Sequence, residues 1–165
     1  MTSIQTPACS ILVIEPSRLA RSIIEAYINA QGLYAVYVKD AEQAKEKIKA
    51  NNAYGLVLCA YQMPDGNGVD LCKVMRQSLG ESTPILLLTT VTDKQIIRSA
   101  FTNGITEVIQ RDRLIEIQSY LEKIANLNVD PNNKKPFILF VEDSQAITMI
   151  TINYLMQHGF IVDAT

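Results

Sequence analysis

Few side chains in this sequence are placed to do chemistry, and most of them stand directly behind an apolar run. Glu15 and Pro16 follow Ile11-Leu12-Val13-Ile14, Thr89 and Thr90 close Ile85-Leu86-Leu87-Leu88, and Arg111 follows Glu107-Val108-Ile109-Gln110. A carboxylate at 15 and a guanidinium at 111 could form an ion pair, with a fork of donors that a lysine would not supply. The run Leu56-Val57-Leu58-Cys59 ends on Ala60, which has no nucleophilic atom. Farther along, Glu142 and Asp143 are adjacent acids behind Ile138-Leu139-Phe140-Val141. Cys59, inside an apolar run, reads as an inert small hydrophobe. His158, the sole histidine, precedes Gly159 and reads as a solvated helix end.

The elements that must position these residues alternate in period. Apolar strand-like runs lie at 10–14, 34–38, 56–60, 85–88 and 107–110. Between them, helical spacing is expected at 17–30 (Leu19, Ile23, Ile24, Tyr27 and Ile28 inward) and 41–51 (Ala41, Ala44 and Ile48). It recurs at 69–78 (Val69, Leu71, Cys72 and Met75), 93–103 (Ile96, Ile97, Ala100 and Phe101) and 113–125 (Leu114, Ile117, Leu121 and Ile124). Ser17 is a natural N-cap and Gly32 a natural helix stop, while Pro64-Asp65-Gly66 is a turn signal. Lys45, Lys47 and Lys49 fall on the wet face of their helix. Five strands alternating with five helices predict an α/β domain at residues 8–126, a doubly wound parallel sheet covered on both faces. In such sheets ligands bind beyond the carboxyl ends of the strands, where Glu15, Pro16, Ala60, Thr89 and Arg111 stand.

The composition supports a folded domain: of 165 residues, 48% are hydrophobic and 19% charged, an ordinary globular balance. A net charge of −2 gives no reason to expect nucleic acid as a partner. Three cysteines without CxxC spacing argue against a disulfide framework and fit a reducing compartment. No apolar run approaches a membrane span and no secretory leader opens the chain, so a cytoplasmic location is expected.

Residues 126–136 are polar, with two prolines and four asparagines, and a linker is placed at 127–136. Beyond it the first module begins again. At a constant offset, Ile11, Leu12, Glu15, Ser17, Ile23, Tyr27 and Gly32 meet Ile138, Leu139, Glu142, Ser144, Ile150, Tyr154 and Gly159. A repeat longer than one domain indicates tandem duplication. Residues 137–165 are therefore expected to be the first β-α-β portion of a second module, and the natural protein is expected to continue past Thr165.

Several landmarks together resemble response-regulator receiver domains. They are Ile11-Leu12-Val13-Ile14-Glu15-Pro16-Ser17, then Leu56 to Gly68 with its Met63-Pro64-Asp65-Gly66, then Pro84 to Thr90, and Gly104 with Arg111 seven residues on. The resemblance implies the flavodoxin-like strand order 2-1-3-4-5. It also implies a mechanism of phosphoryl transfer to an aspartate four residues before the Met-Pro proline, with Mg²⁺ held by clustered carboxylates. The family's switch hydroxyl corresponds to Thr89 and its lysine to Arg111.

By that standard the first module departs from the family. Ala60 replaces the acceptor and Pro16 one of two acids. Arg111 replaces the lysine, and Val108 stands where an aromatic switch residue is common. Thr89 is read as structural. Asp65 is read as a turn residue rather than a substitute acceptor, and Glu15 as the partner of Arg111 rather than a metal ligand. No catalytic residue and no cofactor are expected here. In the second module Glu142 and Asp143 keep the acidic pair, and the resemblance implies that they are metal ligands of an incomplete site. Mg²⁺ is expected only for the complete second receiver.

The function expected is regulatory: a receiver in a phosphorelay that is not phosphorylated and that binds a protein partner or its own neighbouring domains. A histidine kinase or phosphotransfer protein would serve the second receiver, and a homodimer is admitted. No enzyme activity and no nucleic-acid or membrane contact are expected of these residues. One alternative is the regulatory part of a signalling cyclase, phosphodiesterase or histidine kinase whose catalytic domain lies outside the chain. A remoter one is a flavin-binding domain. That reading would need phosphate-cradling amides behind the first strand, where Glu15-Pro16 stands instead.

Overall fold

The computed structural model describes residues 10–127, 137–140, 155 and 161–164. Contacts divide the chain into two compact units, Met1–Asn128 and Val129–Thr165. In the first, β1 (Ser10–Ile14), α1 (Arg18–Ala30), β2 (Ala35–Val38), α2 (Ala41–Ala50) and β3 (Tyr54–Ala60) alternate. A short hairpin of β4 (Gln62–Met63) and β5 (Gly66–Asn67) then leads into α3 (Gly68–Leu79). The unit ends with β6 (Ile85–Thr89), α4 (Lys94–Thr102), β7 (Glu107–Gln110), a 3-10 turn at Arg111–Glu116 and α5 (Ile117–Leu127).

The five long strands form one parallel sheet in the order β2-β1-β3-β6-β7. Leaving out the hairpin, this is 2-1-3-4-5, the doubly wound, flavodoxin-like arrangement expected. Side chains alternate across each strand, so β1 sends Leu12 and Ile14 to one face and Ile11 and Val13 to the other. The first pair packs with α2, α3 and Ala100 of α4, the second with α1 and α5. Both layers are made of buried apolar side chains. Each fully buried Leu or Ile contributes about 1.5–3 kcal/mol.

Helix starts follow their caps. The Ser17 hydroxyl accepts from Ala20 N, Asp40 from Gln43 N, and Asn67 from the amides of Val69 and Asp70. Gly32 takes φ +65° just past α1. Three sequence expectations need correction. Leu19 does not join the α1 core and is 73% exposed, because the buried line runs Ala20-Ile24-Ile28 at four-residue spacing. On α4 only Ala100 is fully buried and Phe101 is 48% exposed, so this helix covers its end of the sheet with a narrow stripe. The last helix does not begin at Arg113, whose φ −124° and ψ 35° break the turn; α5 begins at Ile117.

In the second unit β8 (Phe137–Phe140) and β9 (Ile161–Ala164) pair in parallel, Phe137 with Ile161 through Phe140 with Ala164. Glu142, Asp143, His158 and the helix expected between the strands lie outside the described residues, Leu155 apart.

Candidate functional site

The carboxyl ends of β1, β3, β6 and β7 converge on one cleft. Glu15 follows β1 directly and is completely buried, yet it is charged and needs partners. It has them: Oε1 accepts from the Ser17 amide at 2.8 Å, and Arg111 Nη2 donates to Oε1 at 3.0 Å and Oε2 at 2.7 Å. Arg111 reaches in from the 3-10 turn behind β7, and its side chain keeps 25% exposure. The expected two-nitrogen fork is not what forms. A single terminal nitrogen, Nη2, bridges both oxygens.

Ala60 ends β3 and is fully buried. The first turn of α3 lies directly against it, where Gly68 donates to the Tyr61 carbonyl at 2.7 Å. A Cβ on Gly68 would stand 2.5 Å from the Ala60 carbonyl oxygen and 2.7 Å from Leu87. This close approach is why glycine begins the helix. Thr89 ends β6, is 2% exposed, and accepts from the Val91 amide at 2.9 Å. Its hydroxyl therefore serves its own loop.

The open cleft, about 390 Å³, is lined by Glu15, Pro16 and Arg111 together with Ser17, Gln62, Met63, Pro64 and Thr90. Ala60 and Thr89 lie beneath the surface. Asp65 faces elsewhere. It crosses to the N-terminus of α2, where its two oxygens accept from Ala41 N at 2.9 Å and Glu42 N at 3.0 Å. Those backbone hydrogen bonds hold its carboxyl below the usual range. Burial, with Cys72 and Glu15 nearby, pushes the Cys59 thiol far up and keeps it protonated.

Sequence reading missed two residues of this region. Ser17 appeared only as a cap, although its amide also holds Glu15; a residue two positions after a buried acid at a helix start is the available signal. Gln110, whose Nε2 donates to the Val91 carbonyl at 3.1 Å, carries no signal in a sequence taken alone.

Among the described residues no helix is long and apolar enough to cross a membrane, and no cluster of three His, Cys, Asp or Glu side chains could hold a metal ion.

The chain resembles known proteins over the same region. Residues 11–122 match the family described as the response regulator receiver domain. The osmosensing histidine protein kinase SLN1 of Saccharomyces cerevisiae is 27% identical over 133 residues, 75% of this chain and 11% of that protein. The autoinducer 1 sensor kinase/phosphatase LuxN of Vibrio harveyi is 30% identical over 79 residues, 48% of this chain and 9% of that protein. The chain thus spans about a tenth of the length of these curated relatives. Two solved structures share the fold. A two-component response regulator from Clostridium difficile has a TM-score of 0.64 at 23% identity, covering 74% of this chain and 99% of its own. The receiver domain of sensor histidine kinase PA1611 from Pseudomonas aeruginosa has a TM-score of 0.62 at 21% identity, covering 72% and 98%. That structure is described with a magnesium ion in its active-site cleft.

The cleft of the present chain does not fit such an ion. Its buried carboxylate already carries a guanidinium and an amide, and Pro16 and Ala60 supply no side-chain oxygen. Magnesium requires several hard oxygen ligands. With residues 11–122 matched and the five-stranded order in place, the chain belongs to the response regulator receiver domain family of two-component signalling proteins.

Proposed function

We propose that the first module, residues 8–126, is a receiver that takes no phosphoryl group and acts constitutively as a protein-interaction module in a phosphorelay protein. The observation that carries this reading is the Glu15–Arg111 pair, together with the buried Ala60 at the end of β3. An arginine standing behind the last strand neutralises the remaining carboxylate, and the acceptor position holds a methyl group. The pair imposes one fixed charge arrangement without phosphate or metal.

The partner face on this reading is formed by α4 and α5 with β6 and β7, where Phe101 of α4 is 48% exposed and Ile115, in the 3-10 turn between β7 and α5, is 62% exposed. The partner is a protein, a neighbouring domain of the same polypeptide, or a second copy. Residues 137–165, behind a linker at 127–136, are read as the opening of a second receiver, which the parallel β8–β9 pair supports. In it Glu142 and Asp143 would contribute to a Mg²⁺ site, and a histidine kinase or phosphotransfer protein would deliver the phosphoryl group. The relatives that are sensor kinases favour a second version, in which these modules regulate a kinase domain elsewhere in one cytoplasmic protein.

The test is intact-mass spectrometry of the chain after incubation with acetyl phosphate and Mg²⁺. The expected result is no phosphoryl adduct at any time point. An adduct mapped within residues 10–127 would overturn the reading.

A further inference from the structure

The connection between β6 and α4 is held from two sides at a single residue. Thr89 and Gln110 are register partners at the ends of β6 and β7. The Thr89 hydroxyl accepts from the Val91 amide at 2.9 Å, and Gln110 Nε2 donates to the Val91 carbonyl at 3.1 Å. Both main-chain polar groups of Val91 are thus held by side chains from adjacent strands. Two residues later Asp93 caps α4, accepting from Gln95 N at 2.7 Å and Ile96 N at 3.2 Å. Only Thr92 separates the held residue from the cap, so the connection has little slack with which to let α4 turn.

We propose that Gln110 is the positioning residue that sets the start of α4, and that it links α4 to the Glu15–Arg111 pair. The link is covalent on one side, since Gln110 directly precedes Arg111. Arg111 is fixed by the buried carboxylate of Glu15 at 2.7 Å. Arg111, anchored on Glu15, holds the end of β7 in place, and with it the neighbouring amide that holds Val91. The α4 side of the partner face is therefore held by the fixed pair in the cleft through the neutral amide of Gln110.

This inference rests on the proposed constitutive role, and its failure is separable from the failure of that reading. Phosphoryl uptake is read by mass, whereas the Gln110 link is read by amide hydrogen exchange with no phosphodonor present. Gln110→Met keeps the length of the side chain and removes its donor. We expect exchange at Val91 and at the first-turn amides Gln95 and Ile96 to rise roughly fivefold, the effect of one net hydrogen bond. The amides of Leu86 and Leu87 in β6 should be unchanged. Glu15→Gln should raise the same loop amides, and the double variant should exceed the larger single effect by little, because both act through one link. Gln110→Glu, which sets a carboxylate against the Val91 carbonyl, should behave at least as badly as Gln110→Met. Wild-type exchange at Val91 in Gln110→Met would overturn the proposal. So would single effects of Glu15→Gln and Gln110→Met that multiply independently, since a merely local hydrogen bond gives that pattern.

Discussion

Two arginines close the two ends of the sheet, and they do so with different partners. At the amino end, Arg76 of α3 donates to carbonyls: Nη1 to Thr83 at 2.6 Å and Gly80 at 2.8 Å, and Nε to Gly104 at 2.9 Å. These are the loops that feed β6 and β7. At the carboxyl end, Arg111 donates to one buried carboxylate. The first arrangement satisfies main-chain groups that any sequence would present there, and its role is to fix loops. The second neutralises a carboxylate that this particular sequence has buried, and its role depends on Glu15. An arginine in a receiver can therefore be structural in two ways, and only the one facing the cleft alters what the cleft can bind.

The largest expected effect separates these roles. Removing the cation in Arg111→Met leaves Glu15 buried and unpaired, which costs about 3 kcal/mol, trimmed by the solvent that reaches Arg111. Adding Glu15→Gln should recover much of that loss, because no uncompensated charge then remains. Chemical denaturation of the three variants measures this directly. If the double variant were as unstable as Arg111→Met, the carboxylate would not be the reason for the loss.

Arg76→Met should cost somewhat less, about 2 kcal/mol, since its carbonyls can find water in part. No single second substitution should restore it, because its partners are main-chain carbonyls, apart from one long contact to the Thr106 hydroxyl at 3.4 Å. Gly104→Ala probes the same end. Gly104 has φ +95°, and a Cβ there would stand 2.8 Å from Arg76 Nε. We expect a loss of about 1–2 kcal/mol in the same assay. A fully stable Gly104→Ala would mean that the Arg76 hub is loose.

The smallest effect belongs to Asp65, which is exposed. Its folded-state carboxyl is held below the ordinary value of about 3.9. The contribution is therefore present above that value and lost as pH falls through the lower, folded one. The stability difference between wild type and Asp65→Asn should be constant near neutrality and shrink in acid. A difference independent of pH down to strong acid would show that the charge on Asp65 plays no part in capping α2.

How much of this was legible in the sequence varies with the physics involved. Strands buried on both faces announce themselves as unbroken apolar runs, so the sheet and the residues at its carboxyl end could be placed, while the strand order came only from the family resemblance. Helix faces were read less well. Leu19 and Phe101 fit helical spacing but point away from the core, because periodicity gives the stripe and not its width. The convergence of Glu15 and Arg111 could be anticipated from charge and position, whereas the one-nitrogen geometry could not. Gln110, Arg76 and the Asp65 cap act on main-chain atoms distant in sequence, and side-chain type alone does not reveal such partners.

The central claim is that the cleft under Arg111 is closed to phosphoryl chemistry. Its most direct test is an NMR titration of the chain with beryllium fluoride and Mg²⁺, following the backbone amides of Ala60, Thr89 and Arg111. The account predicts no saturable change at any of them. A saturable shift that requires Mg²⁺ and clusters at these residues would contradict it.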